Sequence, residues 1–277
     1  MKEMLIKQVL RCPVCGGGLA ETGGSLTCVN RHCFDISSAG YVNLGGPHQH
    51  GNGDSRELVS ARTAFLGAGY YAPFAREICR RVSGYADGGV IIDAGCGDGY
   101  YSIAAASESG GTLLGVDLSK FAVTAAAKAA RRRQSDAAFA VAGLFDMPVR
   151  DGCAEVVMNL FAPCAPGEFE RVLRPGGHLI VAGAGRDHLS GLRAVIYDAV
   201  TPNTRRADLP SGGGLTAVDT ARVRYSVTLT RQSDVQSLFA MTPYFYRTSA
   251  AGRERLAGLD SLETVVDFDI FVYRKED

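Results

Sequence analysis

Val90-Ile91-Ile92-Asp93-Ala94-Gly95-Cys96-Gly97-Asp98-Gly99-Tyr100-Tyr101 decides the fold of this 277-residue chain. Its first half is apolar without alternation, the pattern of a strand covered on both faces in a parallel sheet. A glycine-rich turn follows and opens a helix. A dinucleotide turn needs glycine at its first, third and sixth positions. Gly95 and Gly97 satisfy the first two, but Tyr100 stands at the sixth and the additional glycine is Gly99. Asp93 and Asp98 also present negative charge that a diphosphate would meet unfavourably. A ligand carrying an ammonium, a sulfonium and a ribose suits these residues better, and S-adenosylmethionine is such a ligand.

The second half of the unit begins at Gly110-Gly111-Thr112, continues as the apolar run Leu113-Leu114-Gly115-Val116 and ends in Asp117. An acid at the end of the second strand, about twenty residues past the glycines, is placed to hold a ribose hydroxyl pair. Together Asp93, the turn and Asp117 point to a methyltransferase; the bland alternative is any nucleotide-binding α/β unit. Ser119 is a good N-cap for a helix running to Arg131-Arg132-Arg133, where cations suit the helix dipole. Phe139 to Ala142 reads as the third strand. Gly143 or Leu144 follows it, so backbone groups and apolar packing by Leu144 are expected to hold the adenine. Val156 to Leu160 is the fourth strand, with Phe161-Ala162-Pro163-Cys164 as its exit at the carboxyl edge of the sheet, facing the methyl group. Pro163-Cys164 is similar to the nucleophilic dipeptide of RNA cytosine-C5 enzymes, but no cysteine follows Cys164 to serve as their second, so covalent catalysis is not expected.

Lysine plus arginine equals aspartate plus glutamate, 29 each, so no global basic field advertises a nucleic-acid partner. No apolar stretch approaches the roughly eighteen residues of a membrane span. Met1 to Leu10 carries neither a long apolar core nor a small-residue cleavage site, so no signal peptide and a cytoplasmic location are expected. Four of the eight cysteines fall within the first 33 residues. Cys79, Cys96, Cys153 and Cys164 are scattered and read as free thiols in a reducing compartment.

The front cluster has its own pattern. Cys12-Pro13-Val14-Cys15 is a C-x2-C knuckle, and Cys28 with His32 forms a C-x3-H. Three thiolates and an imidazole close a tetrahedral zinc site with no open position, hence a structural one. So few residues bury too small a core to stand alone, and a metal supplies the missing stability. Cys33 is the alternative fourth ligand. Gly45 to Asp54 reads as a linker in which His48 and His50 are solvated. Ser55 to Val82 is helical with a break near Gly67-Ala68-Gly69 and a restart at Tyr70 running through Ile78, a partial lid over the cofactor. Arg174-Pro175-Gly176-Gly177 turns into the strand His178 to Ala182, and His188 is expected at the surface. Pro202 to Gly214, with Arg205 and Arg206, is a polar insertion. A strand (Val223 to Leu229), a helix (Val235 to Met241), the aromatic turn Thr242 to Tyr246, a further helix and a last strand (Val265 to Tyr273) complete the pattern. The resulting fold class is α/β: a seven-stranded, Rossmann-like class I methyltransferase domain (88–277) with a small zinc-binding module (1–45) and a linker with helical lid (46–87).

In order, the chain carries Cys-Pro-x-Cys, Cys-x3-His, Phe-Asp, Gly-Tyr-Val-Asn-Leu, Gly-Asp-Ser and Ala-Arg-x-Ala-Phe-Leu. Asp-x-Gly-Cys-Gly-x-Gly-Tyr-Tyr, Ala-Pro-Cys and Met-Thr-Pro follow. This resembles the bacterial large-subunit ribosomal RNA guanine-N1 methyltransferases of the RlmA type, over nearly the whole length. The resemblance implies that Cys12, Cys15, Cys28 and His32 hold zinc and that the module helps grip an RNA hairpin. From the turn and the strand ends, the residues expected to hold S-adenosylmethionine are Asp93, Gly95, Gly97, Gly99, Tyr100, Asp117 and Leu144. Some members confer macrolide resistance. Two departures remove positive charge: Gln49-His50 runs through Gly51-Asn52 directly into Gly53-Asp54-Ser55, and Asn159-Leu160-Phe161 stands where an arginine-bearing version is familiar. Among the partners, a ribosomal RNA hairpin is expected, no membrane, and room is left for a homodimer.

Guanine N1 carries a proton near neutral pH, and no residue is an obvious base for it. Positioning is the expected contribution, with Asn159 and backbone groups near Ala162-Pro163 orienting the base. Phe161, Tyr244 and Tyr246 are candidates to stack on it once it has left its own stack. Two rival readings remain: a small-molecule methyltransferase, which would not need the zinc module, and a non-catalytic zinc RNA-binding protein, which would not need Asp93 and Asp117 together.

Overall fold

The computed structural model describes residues 8–45, 53–199, 202–203, 208–209 and 213–277. His48, His50, Arg205 and Arg206 lie outside the described residues. Three short strands, β1 (Leu19–Thr22), β2 (Ser25–Cys28) and β3 (Cys33–Asp35), form an antiparallel ribbon in that order. The next strand, β4 (Val42–Asn43), leaves the ribbon for the main sheet. Ser55 caps α1 (Arg56–Gly67) by accepting from the Leu58 amide. The chain breaks at the expected glycines and resumes as α2 (Ala72–Ala86), whose Pro73 sits in the first turn. α2 runs beyond the expected end at Ile78 because Val82 and Ala86 continue its buried stripe.

Strand and helix then alternate: β5 (Val90–Ala94), α3 (Tyr100–Ser109), β6 (Thr112–Asp117), α4 (Lys120–Arg132), β7 (Ala138–Val141) and β8 (Ala154–Leu160). After them come α5 (Pro166–Val172), β9 (Leu173–Ala184) and α6 (Ser190–Ile196). The chain continues through β10 (Leu215–Leu229), α7 (Gln232–Ala240), a 3-10 turn at Pro243–Tyr246, α8 (Ala250–Ala257) and β11 (Leu262–Lys275). The main sheet has the order β10-β11-β9-β8-β5-β6-β7-β4. It is parallel from β4 to β9, and β11 enters antiparallel between β9 and β10. The expected seven strands are present. The eighth is β4, through Val42 opposite Ala140.

Strands β5 to β8 are buried at nearly every position, as their unalternating apolar runs dictate. β10 alternates between exposed and half-buried residues, because it is the sheet's edge and only one of its faces is covered. Helices α2, α6, α7 and α8 cover one face of the sheet. On the other, Leu10, Leu19, Leu26, Val42 and Leu44 share one apolar cluster with Ile92, Leu114, Val149 and Phe169. The ribbon is therefore fused to the sheet. The Arg11 amide donates to Pro148 O (3.0 Å) and the Arg150 amide to Val9 O (2.8 Å). β5 sits between β6 and β8, so the chain reverses its direction across the sheet there and opens a crevice at the strands' carboxyl ends.

His188 corrects the surface expectation: it is only 8% exposed. The Gly185–His188 loop folds back on β11, where His188 Nδ1 accepts from the Asp267 amide (3.3 Å) and its ring packs on Phe268 (4.5 Å). Burial pushes its pKa down to about 3.

Candidate functional site

Around the crevice, the first turn is built by backbone: the amides of Gly95 and Cys96 both donate to Val116 O, at 2.8 and 3.0 Å. Gly95, Gly97 and Gly99 all have positive φ. Asp93, at the end of β5, is 2% exposed. Its Oδ2 accepts from Ser102 Oγ at 2.5 Å, while Oδ1 is buried with no hydrogen-bond partner. Burial, with a smaller push from Asp117, raises its pKa to about 7. Asp117 ends β6; Oδ2 accepts from the Gly97 amide (3.0 Å) and Oδ1 from the Ser119 amide (2.8 Å). Burial pushes its pKa up, and these two amides pull it back. Leu144, after β7, is buried, with Cδ1 3.9 Å from where a Cβ on Gly95 would stand. Tyr100 opens α3 but turns its ring onto Tyr101, 5.0 Å between centroids, in the aromatic cluster beneath α2.

At the exit of β8, Asn159 is 1% exposed and spends its amide on two carbonyls, Ala94 O and Pro163 O, each at 3.1 Å. It ties the β5 and β8 exits together. Phe161 follows with φ of 61°, a conformation rare for a bulky residue. That geometry leaves the residue 45% exposed while its ring rests on Phe268 (4.8 Å) and Phe74 (5.4 Å). Pro163 is exposed beside it. Tyr244 and Tyr246 pack with Tyr197 and Phe245 and make no ring contact with the Phe161 cluster among the described residues.

In the ribbon, the Cys12–Cys15 knuckle is closed by the Gly16 amide donating to Cys12 O (2.8 Å) and the Cys12 amide to Gly17 O (2.7 Å). Ligand atoms of Cys12, Cys15, Cys28 and His32 lie within 4.8 Å of one another. His32 Nδ1 stands 3.5 Å from Cys12 Sγ and 3.3 Å from Cys28 Sγ, and Cys15 Sγ is 3.7 Å from Cys28 Sγ. A tetrahedron with zinc–sulfur bonds of about 2.3 Å has edges of about 3.8 Å, so the three shorter donor separations match a zinc site and the set as a whole lies close to one. The Gly17 amide and the Asn30 side chain lower the Cys15 thiol to about 6, which favours the thiolate a metal needs. Cys33, in β3, is exposed, pairs with Thr27 of β2 and lies outside this cluster, so His32 completes the set of four.

Residues 10–51 match the family described as RlmA, N-terminal, and residues 86–207 match a methyltransferase domain family. A 23S rRNA (guanine(748)-N(1))-methyltransferase of Streptomyces fradiae is 39% identical over 68% of this chain and 67% of its own length. YxjB of Bacillus subtilis strain 168, provisionally named a 23S rRNA (guanine-N(1)-)-methyltransferase, is 32% identical over 99% of this chain and all (100%) of its own. The chain belongs to this 23S rRNA guanine-N1 methyltransferase family.

This methyltransferase uses S-adenosylmethionine, and the crevice fits it: the orphaned Oδ1 of Asp93 is a buried acceptor with room for a donor such as an ammonium, and Asp117 sets a second carboxylate at the end of β6. Sequence reasoning missed the side-chain contacts that brace the crevice. Ser102 faces back from α3 onto Asp93. Thr63 Oγ1 donates to Asp98 Oδ2 (2.6 Å), and Ser119 Oγ donates to Asp54 O (2.7 Å). The strings Gly-Asp-Ser and Ala-Arg-x-Ala-Phe-Leu carried the signal for the last two contacts. Nothing in the sequence marked Ser102.

Proposed function

We propose that this enzyme methylates N1 of a guanine in a large-subunit ribosomal RNA hairpin, in the cytoplasm. The observation that carries the reading is the fusion of a zinc ribbon to the sheet that holds the cofactor turn, with Arg11 and Arg150 stitched across the seam. A small-molecule enzyme has no use for such a ribbon. When bound, S-adenosylmethionine supplies an electrophilic methyl group on a sulfonium.

Asp93 Oδ1 receives the ammonium, Asp117 the ribose hydroxyls, and Leu144 borders the adenine. Phe161 offers a bare aromatic face at the mouth, held there by its left-handed backbone. A guanine drawn out of its stack rests on that face. Asn159 acts one layer below, fixing the carbonyl of Pro163 and with it the shape of the exit. Alignment of the base is the enzyme's main contribution. The N1 proton leaves to solvent; a carbonyl of the exit loop, with a second lone pair to offer, accepts a hydrogen bond from N1–H and orients it.

The test is methyl transfer from labelled S-adenosylmethionine to unmethylated large-subunit RNA, with the product mapped by reverse-transcription stops. A stop at a single hairpin guanine is expected. Transfer to small molecules alone, with RNA inert, would overturn the reading.

A further inference from the structure

The Gly-Asp-Ser string, and the arginine that follows it on α1, have so far no role in the chemistry. Gly53 has φ of 61° and packs so tightly that a Cβ there would stand 2.6 Å from the Ser119 amide nitrogen. Only a glycine lets the chain pass this close to the end of β6. Ser119 Oγ then holds Asp54 O, Ser55 caps α1, and Thr63 reaches Asp98 in the cofactor turn. These contacts press the first two turns of α1 against the crevice. Between them lies Arg62. Its Nη2 is 2.6 Å from Asp54 Oδ2, the one acid within ion-pair distance of it among the described residues. Its Nη1 turns the other way, 3.2 Å from where a Cβ on Gly97 would be. The Arg62 side chain is 25% exposed, so most of it is withdrawn from solvent.

The turn it faces is acidic. Asp93, Asp98 and Asp117 all border it, and Asp98 and Asp117 spend their oxygens on Thr63 and on backbone amides. Such a setting welcomes the ammonium and sulfonium of the cofactor and repels its carboxylate. A zwitterionic amino-acid end therefore needs one cation at this turn, and Arg62 is positioned to be it. A single ion pair whose partners are 25% and 37% exposed is still screened by solvent and contributes modestly to stability, and α1 is already fastened by Ser119 and Thr63. Holding the helix does not require the Arg62 guanidinium to lie on the glycine turn.

We infer that Arg62, oriented by Asp54, binds the carboxylate of the cofactor's methionine end. The inference rests on S-adenosylmethionine being the ligand, and it adds a cofactor contact from outside the strand–turn–helix unit. Asp54 acts through Arg62 as a positioning residue.

Isothermal titration of the full chain with two ligands tests it. S-adenosylhomocysteine carries the ammonium and carboxylate; methylthioadenosine keeps the nucleoside and thioether and lacks both. A charge-assisted hydrogen bond corresponds to about ten- to hundredfold in affinity. Arg62→Ala should weaken S-adenosylhomocysteine by that factor and leave methylthioadenosine within about twofold. Arg62→Lys should recover part of the loss, and Asp54→Ala should show a smaller loss of the same selectivity. Equal weakening of both ligands by Arg62→Ala, or of neither, overturns the inference and leaves the cofactor assignment intact. A wild-type chain that binds neither ligand sinks the cofactor assignment and the inference with it.

Discussion

Gly99→Ala isolates one steric contact in the cofactor turn. Gly99 stands at the N-cap of α3 with φ of 77°, and a Cβ there would lie 2.8 Å from Cβ of Ala126 on α4 and 3.1 Å from Cζ of Phe139 on β7. Carbon atoms rest best at about 3.5–4.0 Å, so the overlap with Ala126 is about 1 Å. Two penalties add. A left-handed backbone costs an alanine about 1–2 kcal/mol, and overpacking a tight core costs about 1–3 kcal/mol. The total expected destabilisation is about 2–5 kcal/mol, read by urea denaturation, with S-adenosylhomocysteine affinity falling as the turn shifts. The second substitution, Ala126→Gly, removes the nearer clashing atom and is itself unfavourable by about 1 kcal/mol as a helix-interior glycine. In that background Gly99→Ala should cost about 1–2 kcal/mol less than in the wild type, while the backbone part persists. If the two changes add to within about 0.5 kcal/mol, the contact with Ala126 is not what makes glycine necessary, and the packing argument fails.

Zinc should be present at one ion per chain: Cys15→Ser or His32→Ala loses it and Cys33→Ser keeps it, measured by elemental analysis. Because ribbon and sheet share one core, chelation should lower the midpoint of the main calorimetric transition; a separate ribbon transition would contradict the fusion. Asp93 is raised from 3.8 to about 7, so between those values the folded chain holds a proton the unfolded chain has released. The stability from neutral Asp93 is full below about pH 4 and is lost as pH rises through about 7. Asp93→Asn should flatten that slope, and S-adenosylhomocysteine should bind the wild type more tightly as pH rises through the same range, because an ammonium favours the ionised acid; an unchanged slope in the variant would assign the titration elsewhere. Asn159→Ala leaves Ala94 O and Pro163 O without their side-chain donor, a loss of about 2–4 kcal/mol in stability, with kcat falling more than RNA KM rises. A loss under about 0.5 kcal/mol would show that the two bonds do not hold the exit.

The parallel strands were legible because burial on both faces writes itself as unbroken apolar runs, and Asp93 and Asp117 because each ends such a run. The zinc ligands were legible from spacing alone, since all four lie within one short segment. β4 was not: two residues cannot express a period, and Val42 gains its place from Ala140, far along the chain. His188 was misread for the same reason, its burial being set by Asp267 and Phe268. Asn159 was found in sequence as a residue of the exit, but its two carbonyl partners belong to the packed sheet. Arg62 and Thr63 sat in a recognisable string whose purpose depends on a glycine turn 35 residues later.

The seam between ribbon and sheet sets a schedule for synthesis. The four zinc ligands emerge together, between Cys12 and His32, so the metal can be captured as soon as that segment leaves the ribosome. The surface that covers Leu10 and Leu26 comes much later: Arg150, whose side chain donates to Leu10 O, lies 140 residues downstream. At about 5–20 residues per second the interval is roughly 7–28 s. During it the newborn chain carries a metal-closed ribbon with a bare apolar side, a stretch of time in which chaperones, not the fold, must keep that surface from its neighbours.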